Sequence, residues 1–280
     1  MSIKNLEPNG LWKNFYELTQ IPRPSKKEEK VVAFLKQFGE NLGLETIVDK
    51  VGNVIIRKPA TPGYEDRMGV VLQAHVDMVP QKNSDKVHDF EKDPIETRIE
   101  DGWVKANGTT LGADNGVGAA AAMAVLEATD LVHGPIEGLF TIDEETGMTG
   151  ANALEPGVLK GDILINMDSE TEGELYVGCA GGIDTCGYFT PKFEDVPAGS
   201  KAFQLVVKGL KGGHSGMDII LGRANANKVM NTLLLMLTEK YNVRVADIQG
   251  GSLRNAIPRE SFVTVTVPEK YADQLVAYIP

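Results

Sequence analysis

Residues 70–80, Val-Val-Leu-Gln-Ala-His-Val-Asp-Met-Val-Pro behind Gly69, constrain the fold more than any other stretch. Val70, Val71, Leu72, Val76, Met78 and Val79 make a near-continuous apolar run, the mark of a parallel strand covered on both faces. His75 and Asp77 interrupt it. They lie two apart, so a strand places them on one face. An imidazole and a carboxylate buried without partners would be costly. The partner is therefore either a metal ion or another side chain, and a satisfied buried pair is the plainer alternative.

The rest of the chain supplies the setting. Leu11–Gln20 has helical spacing and ends before Ile21-Pro22-Arg23-Pro24, because residues preceding proline avoid the helical region. Ser25 followed by Glu28 reads as a capping box opening a second helix with an apolar stripe from Val31 to Leu42. Glu45–Asp49 and Asn53–Arg57 read as strands, and Ile95–Lys105 as a hairpin. A glycine-rich turn, Leu111-Gly112-Ala113-Asp114-Asn115-Gly116, precedes an alanine-rich helix over Val117–Thr129. Gly138–Ile142 is a short strand running into Asp143-Glu144-Glu145, and at the end of a strand the successive side chains of Glu144 and Glu145 would point opposite ways. Asp162–Met167 is a further buried strand running into Asp168. This rhythm predicts a doubly wound α/β domain over residues 1–186. Beyond it, the β-α-β-β-α order of residues 187–280 predicts a second, α+β unit of ferredoxin-like type.

In an open α/β sheet, ligands bind at the carboxyl ends of the strands. His75, Asp77, Asp114, Glu144, Glu145 and Asp168 are all placed to meet there. That many carboxylates cannot stay ionised at close range without a cation. Two divalent metals would balance the charge, and one imidazole among carboxylates suits zinc, with cobalt or manganese as alternatives. Gly116-Val117-Gly118 hints at a dinucleotide loop, but Ala121 stands where the third glycine belongs and Asp114 would repel phosphate. The net charge of −11 argues against nucleic acid or an anionic membrane as partner. No apolar run reaches the ~18 residues of a membrane span. The N-terminus lacks the apolar core of a signal peptide, and Cys179 and Cys186 fit no disulfide framework, so a cytoplasmic protein is expected.

Taken together, His75-Val76-Asp77, Gly112-Ala113-Asp114-Asn115-Gly116, Asp143-Glu144-Glu145-Thr146-Gly147, Met167-Asp168-Ser169-Glu170 and Gly212-Gly213-His214-Ser215-Gly216 resemble, in order and spacing, the motifs of the co-catalytic zinc peptidases related to aminoacylase and carnosinase. The resemblance implies a zinc-peptidase catalytic domain with an inserted lid. It also implies a metal-dependent dipeptidase acting on unblocked dipeptides, Xaa-His included, by a metal-activated water. His75 and Asp168 would bind one metal, Glu145 the other, and Asp114 both. Glu144 would be the general base, and Asp77 would orient the His75 ring. His214 would stabilise the oxyanion, and Asn255 would contact substrate. A homodimer is expected, with the Leu233–Leu237 run as lid core or dimer face. The resemblance implies one more histidine ligand beyond the lid, and neither His88 nor His133 has a matching context. On that reading the lid is incomplete and the chain is the N-terminal part of a longer enzyme. The alternatives are a related aminoacylase or deacylase, or a catalytically silent metal-binding fragment.

Overall fold

The structure is a computed structural model and describes residues 2–169, 171–178 and 185–279. Glu170 and Cys179 lie outside the described residues; Cys186 is exposed and free. The chain divides into two compact units, Met1–Gly181 and Gly182–Pro280.

Unit 1 runs α1 (Asn9–Thr19), α2 (Glu29–Asn41), β1 (Glu45–Val48), β2 (Val54–Lys58), β3 (Val70–His75), β4 (Thr97–Glu100), β5 (Trp103–Ala106), α3 (Ala113–Glu127), β6 (Ile136–Thr141), α4 (Glu144–Gly147), α5 (Thr149–Asn152) and β7 (Ile163–Asn166). Five strands form a mixed α/β sheet in the order β1-β2-β6-β3-β7. β3 runs parallel to β6 and β7, while β1 and β2 pair antiparallel. The parallel register sets His75 opposite Thr141 and Gln73 opposite Asn166, so three strands deliver their carboxyl ends to one edge.

The period of two sorts β3 between two cores. Leu72, Ala74 and Val76 pack with Phe15 and Leu18 of α1 and Met123 and Leu126 of α3. Val71 faces the other way, with Ile55 and Leu139, under Leu154, Val158 and Leu159. Burying each larger side chain stabilises by about 1.5–3 kcal/mol. The sheet is therefore anchored from both faces, and the odd-numbered row that includes His75 lies opposite the helical core.

Three expectations are corrected. Ser25 and Glu28 form no capping box: α2 begins at Glu29 without a side-chain cap. Lys26 takes a positive φ of 69° that turns the chain, and Ser25 Oγ donates instead to Asp77. The strand before Asp168 is not buried. β7 is a sheet edge, and Ile163, Leu164 and Ile165 are exposed: among the described residues, neither hydrophobic cluster flanking the sheet includes them. Glu144 and Glu145 do not extend a strand but occupy the first turn of α4, because Asp143 adopts the left-handed conformation and redirects the backbone.

Unit 2 comprises β8 (Ser200–Val207), α6 (Ala226–Tyr241), β9 (Arg244–Gly250), β10 (Ser261–Pro268) and α7 (Ala272–Tyr278). The antiparallel order β8-β10-β9 matches the ferredoxin-like reading. The Asn225 side chain caps α6 by accepting from Lys228 N. Met230, Leu234 and Leu237 bury one stripe of that helix against Val263, Val265 and Val267.

Candidate metal centre

His75 closes β3 and is 1% exposed. Its Nδ1 meets Asp77 Oδ1 at 3.2 Å, so the first nitrogen is held by a carboxylate and Nε2 points outward. Asp77, itself buried, accepts at both oxygens: Oδ1 also takes Glu144 N at 3.0 Å, and Oδ2 takes Ser25 Oγ at 2.7 Å and Glu145 N at 3.2 Å. One carboxylate thus ties the end of β3 to the start of α4 and to the segment before α2.

Nε2 of His75 faces three further carboxylates. Asp114 Oδ1 lies at 2.9 Å, Asp168 Oδ1 at 3.7 Å and Glu144 Oε2 at 3.9 Å. His75, Asp114 and Asp168 bring one donor atom each within 4.8 Å of one another, as do His75, Glu144 and Glu145. Asp114 reaches this position because the start of α3 departs from helical geometry at Asp114 and Asn115.

The electrostatics are those of a site with surplus negative charge. Burial, then the charge of Asp114, pushes Glu145 up to about 8. Burial and the charges of Asp114 and Glu144 push Asp168 up to about 7, against the opposing pull of His75. Burial would lower His75, but its hydrogen bonds to Asp114 and Asp77 and the charge of Asp168 push it up to about 10. Asp114 is held below the usual carboxylate range by its bond to His75. The donor set of one imidazole and several carboxylates fits divalent cations.

Sequence reasoning passed over Arg23, treating it only as part of a helix stop. Among the described residues it is the largest fully buried side chain. Its guanidinium donates to Val76 O at 2.7 Å, Asp77 O at 3.1 Å and Gly112 O at 2.6 Å. The available signal was a lone arginine between two prolines, where no solvated role suggested itself. Behind the site, Glu28 accepts from Asp143 N at 3.1 Å, and Asp143 accepts from the hydroxyls of Thr146 and Thr149.

In unit 2, His214 and Asn255 lie on adjacent loops. Ser215 N donates to Asn255 O at 2.9 Å, and His214 bridges to Ala256. Nδ1 of His214 accepts from Gly216 N and Met217 N, which places the ring proton of the neutral form on exposed Nε2. A cavity of about 770 Å³ opens beside these loops, lined by Ser215, Arg223, Asn225, Lys228 and Arg254 among others.

Residues 71–253 match the peptidase family M20/M25/M40, and they include His75, Asp77, Asp114, Glu144, Glu145, Asp168 and His214. The chain belongs to this family. Among M20/M25/M40 relatives, the cytosol non-specific dipeptidase of Escherichia coli (strain K12) is 52% identical over 98% of this chain and 56% of the relative's length. A crystal structure of aminoacylhistidine dipeptidase from Vibrio alginolyticus aligns with TM-score 0.64 and 52% identity, over 99% of this chain and 56% of that one. Aminopeptidase PepT from Bacillus cereus ATCC 10987 shares the fold, with TM-score 0.50 and 20% identity over 97% of this chain and 70% of the other. The chain thus spans little more than half the length of the first two M20/M25/M40 relatives.

Proposed function

We infer that this chain carries the catalytic apparatus of a metal-dependent dipeptidase, with zinc as the resident metal and cobalt or manganese as substitutes. The observation that carries the reading is the convergence of Asp114, Asp168, Glu144 and Glu145 on one buried imidazole whose other nitrogen is already held. His75, Asp114 and Asp168 would hold one cation and Glu145, with Asp114, a second. Such cations supply Lewis acidity for a peptide carbonyl and lower the pKa of water to near neutrality. The chain's own residues do the remainder. Glu144 takes the proton of the attacking water and returns it to the departing amine. Asp77 keeps the His75 ring in one tautomer and orientation. His214 donates from Nε2 where negative charge develops on the carbonyl oxygen. Asn255 contacts the substrate.

The names of the two 52%-identical relatives support unblocked dipeptides, Xaa-His included, as substrates, and the word cytosol in one of them supports a cytoplasmic location. Exposed Val229, Leu235 and Met236 on α6 support a homodimer, which sedimentation would test. We assign the metal-binding catalytic domain to residues 1–186 and the lid and dimerisation domain, which carries His214, to 187–280.

The deciding experiment is hydrolysis of alanyl-histidine by the purified chain with added zinc, alongside Glu144→Gln. The dipeptidase reading expects turnover that falls about 10²- to 10⁴-fold in the variant. A second reading, a catalytically silent metal-binding fragment, is favoured by the 56% span of the relatives. Zinc binding without turnover would select it, and cleavage of N-acyl amino acids in place of dipeptides would select an aminoacylase instead.

A further inference from the structure

Arg23 is 1% exposed, and among the described residues the hydrogen bonds its guanidinium donates all go to main-chain carbonyls. Among the described residues, its Nε has no hydrogen-bond partner. Burial lowers it to about 10 despite the charges of Asp77, Asp114 and Glu145. Enclosing a guanidinium without a carboxylate bonded to it is unfavourable, so the arrangement calls for a role. Its bonds supply one. Two of the carbonyls immediately follow His75, and the third belongs to Gly112, two residues before Asp114. The guanidinium therefore bridges the two chain segments that present these residues to each other.

The turn around Asp114 is shaped to admit it. A Cβ on Gly112 would lie 2.7 Å from Arg23 Nη2, and one on Gly116 would lie 2.5 Å from it. Gly116 has no positive φ, so its lack of a side chain serves space and not backbone conformation. Neighbouring bonds join the same segments: Met78 N donates to Arg23 O at 3.1 Å, and the Ser25 side chain donates from Oγ to Asp77 Oδ2.

We propose that Arg23 is a positioning residue for the metal centre, fixing the spacing of His75 and Asp114 through the backbone carbonyls beside each. This rests on the reading that His75 and Asp114 are ligands. Arginine is required because its planar fork reaches carbonyls on two segments at once, which the single ammonium of lysine does not.

The test is a cobalt titration of the full chain, followed by visible d–d absorption. Relative to wild type, Arg23→Met and Arg23→Lys are expected to bind cobalt about 10- to 100-fold more weakly, with altered bands. Val31→Ala, in the core of α2, is expected to lower Tm and leave the cobalt Kd unchanged. Gly116→Ala keeps Arg23 but crowds its Nη2, and is expected to weaken cobalt binding too; it decides the matter if Arg23→Met does not fold. Wild-type cobalt affinity and bands in the Arg23 variants, or in Gly116→Ala, overturn the positioning role alone. Absence of a cobalt band in wild type overturns the metal-centre reading and this proposal with it.

Discussion

An ionised carboxylate offers about four acceptor positions, and Asp77 has four donors: His75 Nδ1, Ser25 Oγ, Glu144 N and Glu145 N. Asp77→Asn keeps the shape but turns one oxygen into a donor facing donors. We expect cobalt affinity to fall about 10- to 100-fold while circular dichroism stays native, read by the same titration. A second residue-scale prediction concerns Glu137, 4% exposed, which accepts from Arg57 Nε at 2.8 Å and from Lys160 N and Gly161 N at 2.7 Å each. Burial would raise it, but Arg57 and the two amides outweigh burial and hold it below the usual carboxylate range. A depressed folded-state value adds stability above the unfolded value, and that stability disappears as pH falls through the folded one. Glu137→Gln should therefore cost about 1–3 kcal/mol at neutral pH, and urea midpoints of variant and wild type should converge in acid. At this scale the sequence was legible wherever a residue type is rare in its setting, as His75 in an apolar strand. It was opaque for Arg23 and Ser25, whose partners are distant in the chain and include main-chain carbonyls that no sequence pattern marks.

Elements were legible where periodicity acts alone. α1, α2 and α6 carry apolar stripes, and β3 declares itself by composition. Reading fails where one backbone conformation redirects the chain, as Asp143 does in converting an extended Glu-Glu pair into the first turn of α4. It fails again at β7, whose Ile-Leu-Ile sequence implies burial on both faces although the strand is an exposed edge. The packing of α5 yields a prediction. A Cβ on Gly150 would lie 2.7 Å from both N and O of Ile142 and 2.3 Å from Asn53 Oδ1. The obstructing atoms of Ile142 are backbone and cannot rotate aside. Gly150→Ala would gain up to about 1 kcal/mol of helix propensity but lose more to overpacking, about 1–3 kcal/mol, so thermal denaturation should show a lower Tm.

The whole molecule is two units with separate hydrophobic cores joined through chain whose described residues 185–198 are exposed and lack helix or strand. Brief trypsin treatment should cut first at Lys192, giving two fragments separable by mass, because exposed unstructured backbone is the preferred protease substrate; first cleavage inside α2, at Lys30 or Lys36, or inside α6, at Lys228 or Lys240, would contradict this. The parallel strands have a consequence at the same scale. The donors at His75, Glu145 and Asp168 follow three strands that must all be paired before the donors meet. A cation that binds them binds only a finished sheet, so its free energy of binding is added to that of folding. At a hundredfold excess over Kd the increment is about 2.7 kcal/mol. Melting of unit 1 should climb with ion concentration while melting of unit 2 stays put, which makes the ion a gauge of sheet completion.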